Sequence, residues 1–132
     1  MKLALAILSL AASSVAQTPD DVLQFLRSTA SVLANAHEDQ TAKLFLESFD
    51  RSMPGYPDLS DAIERMVAQG EIGSAIEIVS DEGDNVKRTL ELDWVLEVEN
   101  KTPRRQILKC TIERKGKKWK FTSLTPIDFF KY

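Results

Sequence analysis

The sequence predicts an α+β domain: three N-terminal helices packed in a curved antiparallel sheet of about four strands. Two observations carry this. Apolar residues recur at three- and four-residue spacings up to about residue 67, then at two-residue spacing from about residue 75. Between Val86 and Val98, Leu90, Leu92, Trp94, Leu96 and Val98 alternate with Glu91, Asp93, Val95 and Glu97, which gives one dry face and one wet face.

The chain opens with Lys2, an apolar run from Leu3 to Ala12 broken by Ser9, and then Ser13-Ser14-Val15-Ala16. This positive start, short apolar stretch and small-residue end is the pattern of a secretory signal peptide. The run is far short of the ~20 residues that span a bilayer, and polar Gln17-Thr18 follows at once. Residues 1–16 are therefore expected to be removed, leaving 17–132 as one domain in the periplasm or outside the cell, with no membrane association after removal.

Thr18-Pro19-Asp20-Asp21 reads as a helix start, with Thr18 as the cap and acids in the first turn. Val22, Phe25, Leu26, Thr29, Val32, Leu33 and Ala36 form the stripe of a helix over about 19–36. A second helix is expected over 40–50, with Leu44, Phe45, Leu46 and Phe49. It stops before Met53-Pro54-Gly55-Tyr56-Pro57. Asp58 is placed to cap a third helix, buried through Leu59, Ile63, Met66 and Val67 and ended by Gly70.

A short strand is expected at 75–80 with Ile76 and Ile78 inward, and Asp81 to Asn85 turn the chain into the long strand. The following inward rows are Gln106, Leu108, Cys110, Ile112 and Arg114, then Trp119, Phe121 and Ser123. With Lys115-Gly116 as the turn, Ile112 should face Trp119 and Cys110 should face Phe121. In the preceding hairpin, Trp94 should face Leu108 and Asp93 should face Lys109.

Charge is uneven: residues 20–99 hold 18 acids and 6 bases, residues 101–120 hold 9 bases and 1 acid. The net charge of −3 argues against nucleic acid as a partner. The basic strands lie beside an acidic one, so cross-strand pairing accounts for the asymmetry. Cys110 is the single cysteine, so no intrachain disulfide exists, and its place between Leu108 and Ile112 marks it as a buried apolar residue.

Phe49-Asp50-Arg51-Ser52-Met53-Pro54-Gly55-Tyr56, Asp58-Leu59-Ser60-Asp61-Ala62-Ile63, Gly116-Lys117-Lys118-Trp119-Lys120-Phe121 and Pro126-Ile127-Asp128-Phe129-Phe130 resemble the second-helix exit, third helix, last strand and tail of the NTF2-like superfamily. That superfamily is the α+β cone that includes ketosteroid-isomerase-like and SnoaL-like proteins. A cystatin-like sheet wrapped on one helix is the nearest alternative, and the second and third helical stretches argue against it.

The resemblance implies a pocket inside the cone, lined here by Tyr56, Trp94, Cys110, Trp119, Phe121 and Phe129. Its enzymes use an Asp, Tyr or His in that pocket for proton transfer. The inward rows of this chain hold no carboxylate. His37, in the polar turn Ala36-His37-Glu38-Asp39, Asp50 at a helix end, and Tyr56 in a loop are weak catalytic candidates. Asp128 is in the tail, where solvation is its ordinary state. No metal-ligand spacing, phosphate loop or cofactor motif is present.

The expectation is a non-catalytic domain that binds a small apolar ligand or serves as an interaction module. The alternative is a small lyase or isomerase of the ketosteroid-isomerase-like type. Val95 and Ile107 lie among charges on the outward face, which points to a homodimer through that face.

Overall fold

The computed structural model describes residues 18–35 and 39–132. The expected signal peptide, the cleavage point before Gln17, and His37 lie outside the described residues. The elements are helices α1 (Asp20–Ala34), α2 (Asp39–Leu46) and α3 (Tyr56–Val67), strands β1 (Ile72–Gly83), β2 (Lys87–Val98), β3 (Arg104–Lys115) and β4 (Lys118–Thr125), and a 3-10 turn at Ile127–Phe130. The four strands form one antiparallel sheet in the order β1-β2-β3-β4.

α1 buries Val22, Leu26, Thr29, Ala30 and Leu33. Asp20 and Asp21 in its first turn complement the positive end of the helix. Thr18 does not cap it. Pro19 holds the cap position, and Thr18 Oγ1 donates to Asp81 Oδ2 at 2.7 Å. Asp81 also accepts from Arg88 Nε at 2.9 Å, and this nearly closed ion pair ties the start of α1 to the β1–β2 hairpin. α3 likewise starts earlier than the expected Asp58 cap: Gly55, at φ +81°, is its cap residue, with Pro57 in its first turn.

β1 is twelve residues rather than the short strand at 75–80. The Asp81–Asn85 turn expected from the acidic cluster is instead a turn around Asp84, whose carboxylate accepts from the N–H groups of Val86 and Lys87. Asp81, Glu82 and Gly83 remain paired, opposite Leu90, Thr89 and Arg88.

Both later hairpins slip by two residues from the expected register. Trp94 faces Gln106 and Asp93 faces Ile107; Ile112 faces Phe121 and Arg114 faces Trp119. The β3–β4 turn is Gly116-Lys117, with Gly116 at φ +67° supplying the left-handed conformation. A shift of two preserves the side-chain faces, so Trp94 and Trp119 still point to the same buried interior. Past Thr122 the pairing shifts by one residue, a bulge that turns Leu124 inward in place of the expected Ser123. Gln106, at the end of its row, is exposed.

The core lies between the helices and the concave face. It is rich in rings: Phe45, Phe49, Trp94, Phe121, Phe129 and Phe130 are all buried. The 3-10 turn folds back so that Phe129 and Phe130 pack against Trp94. Arg104 fastens this tail, donating to the carbonyls of Phe129 and Lys131 and lying 3.9 Å from the centre of the Tyr132 ring.

Candidate functional site: a closed cone and an open groove

The inner face of the sheet is set by period two, which points Leu90, Leu92, Trp94 and Leu96 of β2 and Leu108, Cys110 and Ile112 of β3 at the helices. Of the residues expected to line an internal pocket, Trp94 and Phe121 are 0% exposed, Cys110 is 2% and Phe129 is 3%. They touch one another and the helices rather than an internal space. Phe49 stacks on Phe121 with centroids 4.7 Å apart, and Phe45 meets Trp94 at 6.1 Å and Phe130 at 6.1 Å. Trp119, also buried, has its ring under the Arg114 guanidinium at 4.4 Å, and its Nε1 donates to Asp21 Oδ2 at 3.2 Å.

On the inner faces of β2 and β3 the Cys110 thiol is deeply buried, and burial pushes its pKa far up, so it stays protonated. Trp94 Nε1 is satisfied by Ser74 Oγ at 3.0 Å. Among the described residues, the core cluster therefore brings neither a carboxylate nor an imidazole to take a proton. Among the described residues no cluster of His, Cys, Asp and Glu is arranged to hold a metal.

The open space lies elsewhere. A groove of about 1220 Å³ runs between α2 and α3, floored by Ala42, Leu46, Phe49, Tyr56 and Val67. Tyr56 and Asp50 are the two expected site residues that it brings together. Asp50 accepts from the Ser52 N–H at 2.9 Å and the Ser52 hydroxyl at 2.7 Å, and Lys115 Nζ is 3.5 Å from its other oxygen. These hydrogen bonds from Ser52, with Lys115 beside them, hold the Asp50 carboxyl below the usual range. Such a carboxylate is ionised and a weakened base; its place in this structure is to fold the turn that carries the chain from α2 to α3. Asp128 pairs with Lys131 at 3.0 Å, away from the groove.

The walls of the groove are charged in two blocks. Lys43, Arg51, Lys115 and Lys120 stand with Asp50 and Glu47 at one end. Glu64, Glu71 and Glu99 stand at the other. Apart from Asp50, the sequence did not single out these charged wall residues as a site, because they come from α2, α3, a turn and two hairpins, and no spacing links them. The visible signal was the uneven charge along the chain, which cross-strand pairing explained too easily.

The backbone of this α+β layout superposes on solved structures. An NTF-2-like protein of unknown function from Shewanella oneidensis superposes with a TM-score of 0.63 at 12% identity, over 80% of this chain and 94% of that one. The fold is NTF2-like. A Nostoc punctiforme protein with a cystatin-like fold gives a TM-score of 0.56 at 13% identity, covering 79% of this chain and 85% of the other. Bd1075 of Bdellovibrio bacteriovorus gives 0.66 at 13% identity, and there the NTF2-like chain covers 79% of its own length but only 38% of the Bd1075 chain. No protein-family profile matches the sequence. No curated protein matches it either. Identities this low carry the fold alone, and one fold hosts many functions.

Proposed function

We propose that this NTF2-like chain is an exported, non-catalytic interaction module that pairs with a second copy of itself through the outer face of its sheet. The observation that carries the pairing is the charge order across β2 and β3. On the outward face Lys87 is opposite Glu113 and Glu91 is opposite Lys109. A two-fold axis parallel to the strands and between β2 and β3 sets each of these residues of one copy against the opposite charge on the other. Half-buried Val95 and exposed Ile107, the latter at 44%, flank that axis and supply the apolar centre. Asp93 and Arg105 on the same face are already joined at 2.6 Å, which prepares both for a shared network.

A non-catalytic role is supported by the filled interior and by the ionised, hydrogen-bonded state of Asp50. The same filling leaves little room in the cone for the small apolar ligand that the sequence anticipates, and among the described residues the core gives the isomerase alternative no carboxylate or imidazole. Export rests on the character of residues 2–16.

Light scattering of protein recovered from the medium or periplasm tests the pairing. The expected result is a dimer mass that falls to the monomer value in Val95→Glu. A monomer mass at every concentration, unchanged by that substitution, contradicts it. N-terminal sequencing of the same material should begin at Gln17.

A further inference from the structure

We infer that the groove between α2 and α3 receives an extended segment of a partner polypeptide that is apolar in its middle, acidic at one end and basic at the other. The inference goes beyond the pairing of the outer faces and does not depend on it. Size is the first argument: about 1220 Å³ exceeds the 300–1,000 Å³ of ordinary small-molecule pockets.

Length is the second. Lys115 closes the β3–β4 end of the sheet, where the Arg114 N–H bonds to the Val86 carbonyl just before β2. Glu99 follows the last residue of β2, at the opposite end. The groove therefore reaches towards both ends of the sheet and is walled by the twelve-residue α3, about 18 Å long, an elongated shape that suits a chain rather than a compact molecule.

Charge is the third argument, and it sets the occupant's chemistry. Lys43 and Arg51 are exposed, and among the described residues neither forms an ion pair. Lys120 Nζ donates to the Glu47 carbonyl at 2.8 Å, so its charge meets no carboxylate. At the far end the Glu99 carboxylate accepts from the Glu71 N–H at 2.9 Å, and Glu64 and Glu71 are exposed. Four bases outnumber two acids at one end of the apolar floor and three acids stand together at the other, and each excess is relieved when opposite charges arrive. A segment with acids at one end and bases at the other satisfies both ends while its apolar centre covers Leu46, Phe49 and Tyr56.

The test uses processed protein and four labelled synthetic peptides of equal length, three with an alternating Leu-Ser centre and a fourth with mixed ends and a Ser-only centre; the three Leu-Ser peptides differ at their ends. One carries Glu-Glu and Lys-Lys at its two ends, one Glu-Glu at both, one Lys-Lys at both. Fluorescence anisotropy should rank the first tightest by about tenfold, with affinity falling as salt rises. In the double variant Lys43→Glu/Arg51→Glu, which removes no hydrogen bond seen in the structure, the peptide with Lys-Lys at both ends should become the tightest. Equal affinities, no binding, or a Ser-only centre binding as well as Leu-Ser would overturn the inference. So would binding of a small apolar dye in the groove that no peptide displaces, or a response that tracks protein self-association instead of peptide.

Discussion

Trp94 and Phe130 meet edge to face, with ring centroids 5.1 Å apart and planes at 86°. Trp94 comes from the middle of β2 and Phe130 from the tail, so this contact closes the cone with the last residues of the chain. Both rings are fully buried, and edge-to-face pairs add to the stabilisation that burial provides. Phe130→Ala should destabilise the fold by about 3–5 kcal/mol, read from urea unfolding. It should also open interior space that an apolar dye occupies, where the parent protein binds none inside. A loss under about 1 kcal/mol would mean that the tail is not part of the core.

The Asp81–Arg88 pair is the second closed contact, with 1% and 11% of the two side chains exposed. Removing one partner leaves the other charge shut away from water. Asp81→Ala should cost about 3–5 kcal/mol and should release Thr18 from its 2.7 Å hydrogen bond. The paired replacement Asp81→Leu/Arg88→Met should recover most of that loss, since no stranded charge remains. Thermal melts of the three proteins check the order.

Acid should weaken the fold in a defined window. The carboxyls of Asp21, Asp84 and Asp93 lie below the ordinary value of 3.8, held there by Arg114, by the N–H groups of Lys87 and Val86, and by Arg105 respectively. A folded value below the unfolded one contributes stability that is present above the unfolded value and is lost as pH falls through the folded one. The melting temperature should therefore stay level from pH 7 to about 5 and fall below about 4. Asp21→Asn should flatten part of that fall. A steep loss between pH 7 and 6 would contradict this assignment.

Two glycines at positive φ should respond differently. A Cβ on Gly83, at φ +145°, would sit 2.3 Å from the Lys87 carbonyl oxygen and 2.6 Å from Arg88 Cα. Gly83→Ala should cost about 1–3 kcal/mol. Gly116, at φ +67°, has nothing within 4 Å, so Gly116→Asn should cost under about 1 kcal/mol, because Asn tolerates the left-handed region. Parallel denaturation curves settle the contrast.

The face assignments were legible in the sequence because they depend only on alternation. Leu90 through Val98 and Leu108 through Ile112 point inward whatever the register, and a slip of two residues in each hairpin left them there. Register was less legible because it is set by the turn. Gly116-Lys117 and Lys115-Gly116 are equally plausible until the strands twist. The bulge at Thr122 carries no local mark, so Leu124 rather than Ser123 reaching the core was not foreseeable. Thr18 looked like a cap because its neighbours suit one; Asp81, 63 residues away, outcompeted the helix for its hydroxyl. The interior looked like a pocket because ring-bearing rows lining a space and ring-bearing rows filling it share one pattern. Phe129 and Phe130 decide between them through a fold-back that no spacing encodes.

The most direct measurement of the central claim is a charge-swap mixing experiment on the outer face. One variant carries Glu91→Lys with Glu113→Lys, the other Lys87→Glu with Lys109→Glu. Each alone repels its own copy, whereas an equal mixture places bases against acids across the two-fold axis. Sedimentation should show a dimer for the parent, monomers for each variant alone, and a dimer for the mixture. Folded variants that remain dimeric alone, or a mixture that remains monomeric, would contradict the account.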